Sequence, residues 1–292
     1  MCVESEARTL APPERRMAEV DANVRIGSYD LISARDPAGP ADPRPGQFYM
    51  LAAGERWGGG AGERPYLPRA FSFARARPTG GGGVELHFLL EDVGPGTRRL
   101  RELAPGEGLA LLGPLGAGFA PSAPGTRPLL VGGGIGVAPL IALHDELVAT
   151  GQEGFELLLG FRSRAHADAA ELFDRGPRRD VVPPVATVCT DDGSVGRPGL
   201  VTEPLRERRE RGPAPTVYAC GPPQMLESVR ALCAERSVPA QLALESGMAC
   251  GFGACFGCVV STREGYVRLC VDGPVLDAAA LDTALVAGAG HE

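Results

Sequence analysis

The chain has 292 residues, 44% hydrophobic, with 41 Gly and 27 Pro; that is too long for one small core and too apolar for disorder, so two compact domains are expected. All 29 basic residues are Arg, which excludes a Schiff-base lysine and a Walker-type phosphate loop. The net charge of −7 argues against a general affinity for nucleic acid or anionic membrane.

The longest charge-free stretches, around residues 109–126, 128–143 and 246–262, are broken by Gly or Pro and fall short of a bilayer-spanning helix. The first 22 residues carry alternating charge without an apolar core, so no secretory signal is expected. These features point to a cytoplasmic protein whose eight cysteines stay reduced.

Residues 1–16 read as a polar tail. From 17 to 120 short strands alternate with Pro and Gly turns, as in a small antiparallel barrel. VELHFLL (84–90) has the period of a half-buried strand, and GLALLGPLG (108–116) is a second apolar run. The stretch 52–65 reads as a loop insertion, with Trp57 packed in it. After the Pro-rich stretch 120–128 the texture changes, and 121–244 reads as alternating strands and helices around a parallel, nucleotide-binding sheet. PLLVGGG is a strand entering a glycine turn, followed by a helix closed by Gly151; FELLLGF, VATVCT and PTVYAC are further strands, with helices expected near 166–174 and after Gly221. Residues 245–276 form a cysteine-rich segment, and 277–292 a C-terminal tail.

The strongest motif is Cys250, Cys255, Cys258 and Cys270, spaced C-x4-C-x2-C-x11-C. Its first three positions have the plant-type spacing of a two-iron cluster held by thiolates. Gly251, Gly253 and Gly257 between them permit a tight loop with N–H groups aimed at sulfur. Zinc is the alternative, although structural zinc sites favour two separated C-x2-4-C pairs. Gly132, Gly133, Gly134 and Gly136 form a turn suited to a pyrophosphate at a helix N-terminus, with Pro139 in place of the last fingerprint glycine. RAFSF (69–73) and GPGT (94–97) fit phosphate contacts but are weak motifs singly. Cys220 ends a strand where a nicotinamide ring could lie, or is simply a small buried residue. Cys189 and Cys233 read as core thiols, and the four histidines share no ligand spacing. Arg162, Ser163 and Arg164 suit either a 2′-phosphate or a solvated helix start.

Taken in order, RAFS, GPGT, GPLGAGF, VGGGIGVAPL, TDDGSVGRPG, YACGPPQML, ESGMACGFGACFGCVV and CVDGPVL resemble the ferredoxin reductase superfamily, and more closely the electron-transfer subunits of heteromeric NAD-dependent dihydroorotate dehydrogenases. The resemblance implies an FAD-binding barrel, a Rossmann-like NAD domain and a C-terminal [2Fe-2S] segment. It implies that Arg69, Ala70, Phe71 and Ser72 contact FAD, that Leu89, Leu90 and Glu91 line the flavin, and that Gly96 and Thr97 hold its pyrophosphate. Gly132, Gly133, Gly134 and Gly136 would form the NAD turn, and Cys250, Cys255, Cys258 and Cys270 would ligate the cluster. Ser72, tuning the flavin, and Cys220, near the nicotinamide, would be the catalytic pair. The implied partner is an FMN-containing dihydroorotate dehydrogenase catalytic subunit, in a heterotetramer of two of each, with a role in UMP synthesis. Ala70 stands where such chains usually have Pro, and Gly247 replaces a commonly charged residue. The alternatives are a related reductase subunit serving a sulfite reductase, hydrogenase or ferredoxin:NADP system, and a non-redox, zinc-stabilised nucleotide-binding protein.

Overall fold

The computed structural model describes residues 14–40, 42–59, 65–152, 154–174, 186–208 and 214–286. Most of the expected N-terminal tail and residues 60–64 of the insertion lie outside that set.

Strands β1 (Arg15–Ile26), β2 (Tyr29–Asp36), β3 (Phe48–Ala53), β4 (Arg69–Pro78), β5 (Val84–Leu90) and β6 (Gly108–Leu115) close a barrel in the order β1-β2-β5-β4-β3-β6, with helix α1 (Pro95–Arg101) between the last two in sequence. All the pairings are antiparallel. The period-two pattern sends Val84, Leu86, Phe88 and Leu90 into the barrel core. There Tyr49 meets Phe73 and Phe88 edge-on, with centroids 6.3 and 5.7 Å apart. Arg15 and Arg16, expected in the tail, belong to β1. Arg16 pairs with the inaccessible carboxylate of Asp36 at 2.8 Å and donates to the Gly113 carbonyl; two charges this deeply placed persist only because each satisfies the other.

The second half is a seven-stranded sheet, formed by β7 (Arg127–Gly133), β8 (Glu156–Phe161), β9 (Ala186–Thr190), β10 (Arg197–Pro198), β11 (Pro215–Cys220), β12 (Ala240–Ala243) and, past the hairpin of β13 (Val259–Thr262) and β14 (Gly265–Arg268), β15 (Val275–Asp277). Its order is β10-β9-β8-β7-β11-β12-β15, parallel except for β15. The connecting helices are α2 (Val137–Ala149), α3 (Arg164–Ala167), α4 (Glu171–Asp174), α5 (Thr202–Glu207) and α6 (Pro223–Glu235). The helix expected near 166–174 is thus split in two, with a 3-10 turn at Asp168–Ala170. Ala167 and Ala169 are both buried, and positions two apart cannot share one stripe of a continuous α-helix.

Residues 277–286, expected as a tail, pack down instead. β15 pairs with β12, and Leu281 and Ala284 are buried in one cluster with α6. Strand order reverses between β7 and β11, the switch point at which open α/β sheets bind ligands. Among the described residues no helix is long and apolar enough to cross a membrane.

Candidate functional site

The switch point is built by close backbone approach. Strand pairing sets Cys220 opposite Gly132. A Cβ on Gly136 would lie 2.6 Å from the Cys220 carbonyl carbon, its oxygen and the Gly221 Cα, and one on Gly133 would lie 2.5 Å from Met225 Sδ. Gly134 has φ +54°, the left-handed region where glycine is favoured. Gly136 and Gly133 therefore bring the chain flush against the carboxyl end of β11 and the start of α6, while Gly132 makes room for Val137 and Leu140 of α2. Here a 3-10 turn, Gly134–Gly136, leads into α2 and presents orphan N–H groups.

Cys220 is buried at this point. Desolvation first, and the nearby Glu245 carboxylate second, push its thiol well above the usual range. Glu245 reaches solvent yet is densely surrounded by protein, and burial raises its carboxyl as well. Glu245 opens the ESGMACGFGACFGCVV stretch, but nothing in that motif sets it beside Cys220; it arrives there because β12 runs parallel to β11 with Ala243 opposite Cys220. Ser72 is half-buried on β4, opposite Phe48 of β3.

Around Ser72 the flavin-site expectations separate. The Arg69 guanidinium lies so close over Gly96 that a Cβ there would be 2.5 Å from Nε, and Nη1 donates to the Leu67 carbonyl at 2.6 Å. Trp57, from the insertion, lies 6.0 Å from the same guanidinium carbon. Arg69 and the Gly96 backbone thus make one cationic cradle. Ala70 is exposed and Phe71 half-buried. The Thr97 hydroxyl accepts from the Val93 N–H and donates to the Gly94 carbonyl, both at 3.0 Å, so its side chain braces the turn before α1. Leu89 and Leu90 are each 1% exposed and belong to different core clusters. Of those three residues only Glu91 keeps an accessible side chain, 3.5 Å from His166.

The cysteine loop is shaped by three left-handed residues, Gly251, Gly253 and Phe256. Burial opposes ionisation of Cys250, but the N–H groups of Cys255, Phe252 and Ala254 and the Cys255 thiol outweigh it and bring Cys250 down to about 6. Burial and the neighbouring Cys258 hold Cys270 up at about 12. The Gly257 N–H points at Cys255 Sγ and the Cys270 N–H at Cys258 Sγ, both at 3.5 Å. Cys255 thus stands against Cys250, and Cys258 against Cys270, and among the described residues no three potential ligands are gathered tightly enough for one ion. Two thiol pairs, with N–H groups aimed at sulfur, fit a two-iron centre taking two thiolates per iron better than one tetrahedral zinc.

Comparison with known proteins agrees with this geometry. Residues 245–282 match the family model described as the iron-sulfur cluster binding domain of dihydroorotate dehydrogenase B, and residues 130–231 match the oxidoreductase NAD-binding domain. The dihydroorotate dehydrogenase B (NAD(+)) electron transfer subunit of Caldanaerobacter subterraneus subsp. tengcongensis is 35% identical over 265 residues, 88% of this chain and 94% of that one. The chain belongs to this family of electron-transfer subunits. The Clostridium perfringens subunit is 30% identical, over 89% of this chain and 94% of its own.

Among solved structures, the NADH-dependent reduced ferredoxin-NADP oxidoreductase aligns with TM-score 0.73 and 25% identity over 91% of this chain and 90% of that one. The ferredoxin reductase of carbazole 1,9a-dioxygenase, at TM-score 0.59 and 22% identity over 77% and 67%, shares the fold. As a member of the dihydroorotate dehydrogenase B electron-transfer family the chain is an oxidoreductase subunit using FAD, a [2Fe-2S] centre and NAD.

Proposed function

We propose that this chain carries electrons from a dihydroorotate-oxidising catalytic subunit, which holds FMN, through a [2Fe-2S] centre and FAD to NAD+, in the cytoplasmic synthesis of UMP, within a heterotetramer of two of each subunit. The observation that carries the reading is the seating of the four-thiol loop on the flavin barrel. A Cβ on Gly251 would lie 2.5 Å from Met50 Cγ of β3 and 3.1 Å from Leu115 of β6. The thiols therefore sit beside the domain that carries the Arg69 cradle and Ser72.

When bound, FAD exchanges hydride with the nicotinamide and the iron-sulfur centre passes single electrons. The chain's own residues do the rest. Arg69, whose guanidinium lies over Gly96 where a side chain would displace it, offers charged N–H donors to a diphosphate. Gly134 and Gly136, in the turn that leads into α2, offer N–H groups to the second dinucleotide, while Gly132 and Gly133 end the paired strand beneath them. Cys220, with its raised pKa, stays a neutral thiol at pH 7 and presents S–H rather than charge at the switch point. Cys250, Cys255, Cys258 and Cys270 hold the irons, and Ser72 stands on the flavin strand to hydrogen-bond the ring.

The test is co-expression with a candidate FMN-containing subunit, followed by cofactor analysis and a dihydroorotate:NAD+ assay. Cys255→Ser is expected to erase the iron-sulfur absorption while leaving FAD and NADH-dependent dye reduction mostly intact; an unchanged iron spectrum would overturn the ligand assignment. The likeness to a ferredoxin-NADP oxidoreductase favours one other reading, a subunit serving a ferredoxin system. Failure to bind the dihydroorotate-oxidising partner, with ferredoxin reduction intact, would select it.

A further inference from the structure

Strand β4 carries Arg69 and Ser72 on the flavin side, and three residues later it performs a second task. Its register with β5 shifts between Phe73 and Arg75, an irregularity of the kind that re-aims side chains. Past that shift Arg75 leaves the barrel and is 5% exposed among residues of the nucleotide domain. Its Nε donates to Asp145 Oδ2 of α2 at 2.7 Å, and its Nη2 donates to the Leu172 carbonyl in α4. Asp145 is held in turn by His144 Nδ1, 3.1 Å from its other oxygen. That imidazole is buried edge-on between Phe155 and Phe173, at 5.5 and 5.4 Å. On the two sides of this tie, Ala142 of α2 packs in the barrel core, and Ala74 of β4 packs in the core of the nucleotide sheet.

Helix α2 begins immediately after the Gly134–Gly136 turn. One guanidinium therefore joins the strand bearing Ser72 to the helix that starts at the dinucleotide turn. We propose that Arg75 is a positioning residue for hydride transfer, its tie to Asp145 and Leu172 setting how the nicotinamide site faces the flavin site. Hydride transfer demands near-contact geometry, and a misplacement of about 1 Å costs on the order of 100-fold in rate. A tie between the two halves acts on that distance without touching either ligand.

The inference rests on the electron-transfer reading above, and wild-type protein separates the two. If the purified wild type binds no FAD, or its FAD is not reduced by NADH, the reading itself fails. If wild type behaves as expected, Arg75→Met, Arg75→Lys and Asp145→Asn test the tie in the complete subunit. Arg75→Met is expected to slow FAD reduction at saturating NADH by 10-fold or more. It should weaken the long-wavelength charge-transfer band of the NADH-flavin complex while FAD content, the iron spectrum and NADH affinity stay within about 3-fold of wild type. Arg75→Lys, which keeps a charge for Asp145, should recover part of the rate. Asp145→Asn, which leaves Arg75 its bond to Leu172, should fall between them, and it carries the test if Arg75→Met does not fold. Unchanged reduction rates and band intensity in the folded variants, or losses that track lost FAD alone, would overturn the proposal.

Discussion

A single methyl group at the switch point measures how closely the site is built. Gly136 abuts main-chain atoms of Cys220 and Gly221, which cannot swing aside as a flexible side chain would. Gly136→Ala is therefore expected to destabilise the protein by about 1–3 kcal/mol, in the range of core overpacking, and to weaken NADH binding. Gly81→Ala, where the added carbon meets nothing within 4 Å, should leave the melting temperature within error. Parallel thermal melts and NADH titrations of the two variants check this; a Gly136→Ala protein that melts and binds like wild type would remove close approach as the reason for glycine there. The glycine turn and the cysteine spacing were legible in the sequence because both are local patterns. Glu245 was not, because its place beside Cys220 is created by the pairing of β12 with β11. For Leu89 and Leu90, which the resemblance implied would line the flavin, the structure adds that their side chains pack in two separate cores.

At the scale of elements, the long periodic segments were read within a few residues: β5, β8, β11, α2 and α6 stand where alternation or helical spacing put them. Short pieces escaped, because β12 and β15, with four and three residues, carry too little pattern and owe their form to the sheet edge they complete. The C-terminal segment escaped for a related reason: besides its buried Leu281 and Ala284 it is held by hydrogen bonds to one α6 side chain, which no local pattern shows. Glu227 accepts from Arg230 at 2.6 Å, from the Ala284 N–H at 2.6 Å and from the Thr283 hydroxyl at 3.0 Å. The Arg230 hydrogen bond leads the effects that hold its carboxyl down at about 2, against the cost of burial. Because the folded pKa is depressed, the stabilisation is complete above the ordinary carboxylate pKa and is lost as pH falls through about 4.5 toward 2. With allowance for partial exposure this amounts to about 2 kcal/mol. The protection of the peptide spanning 281–286 against hydrogen exchange, taken relative to the intrinsic amide rate at each pH, should fall over that window, and Glu227→Gln should show the lower protection already at pH 7. Protection that ignores both pH and the substitution would mean the segment is held by Leu281 and Ala284 alone.

For the whole molecule, the order of modules was legible but their mutual packing was not, since Arg75 and Asp145 lie 70 residues apart and nothing local links them. The same holds for the outer face of the cysteine loop. Cys255 is exposed there, and Phe252, Phe256, Val259 and Tyr266 are exposed on the loop and its hairpin, Tyr266 at 82%. Exposed aromatic side chains around the thiol loop, where electrons would enter from the catalytic subunit, fit a docking surface for that subunit, since aromatic residues dominate the binding energy of such interfaces. Phe256 is ill suited to a test, because its left-handed backbone and its contact with Arg268, 5.3 Å from the ring, support the loop itself. Tyr266 on β14 has no such duty. Tyr266→Asp is expected to raise the dissociation constant for the catalytic subunit by 10-fold or more, and to lower dihydroorotate:NAD+ activity at limiting subunit concentration. The iron-sulfur and flavin spectra and NADH-dependent dye reduction should not change. Saturating partner should restore the turnover, since the defect lies in docking; a loss that persists at saturation, or an unchanged affinity, would move the docking surface away from this hairpin.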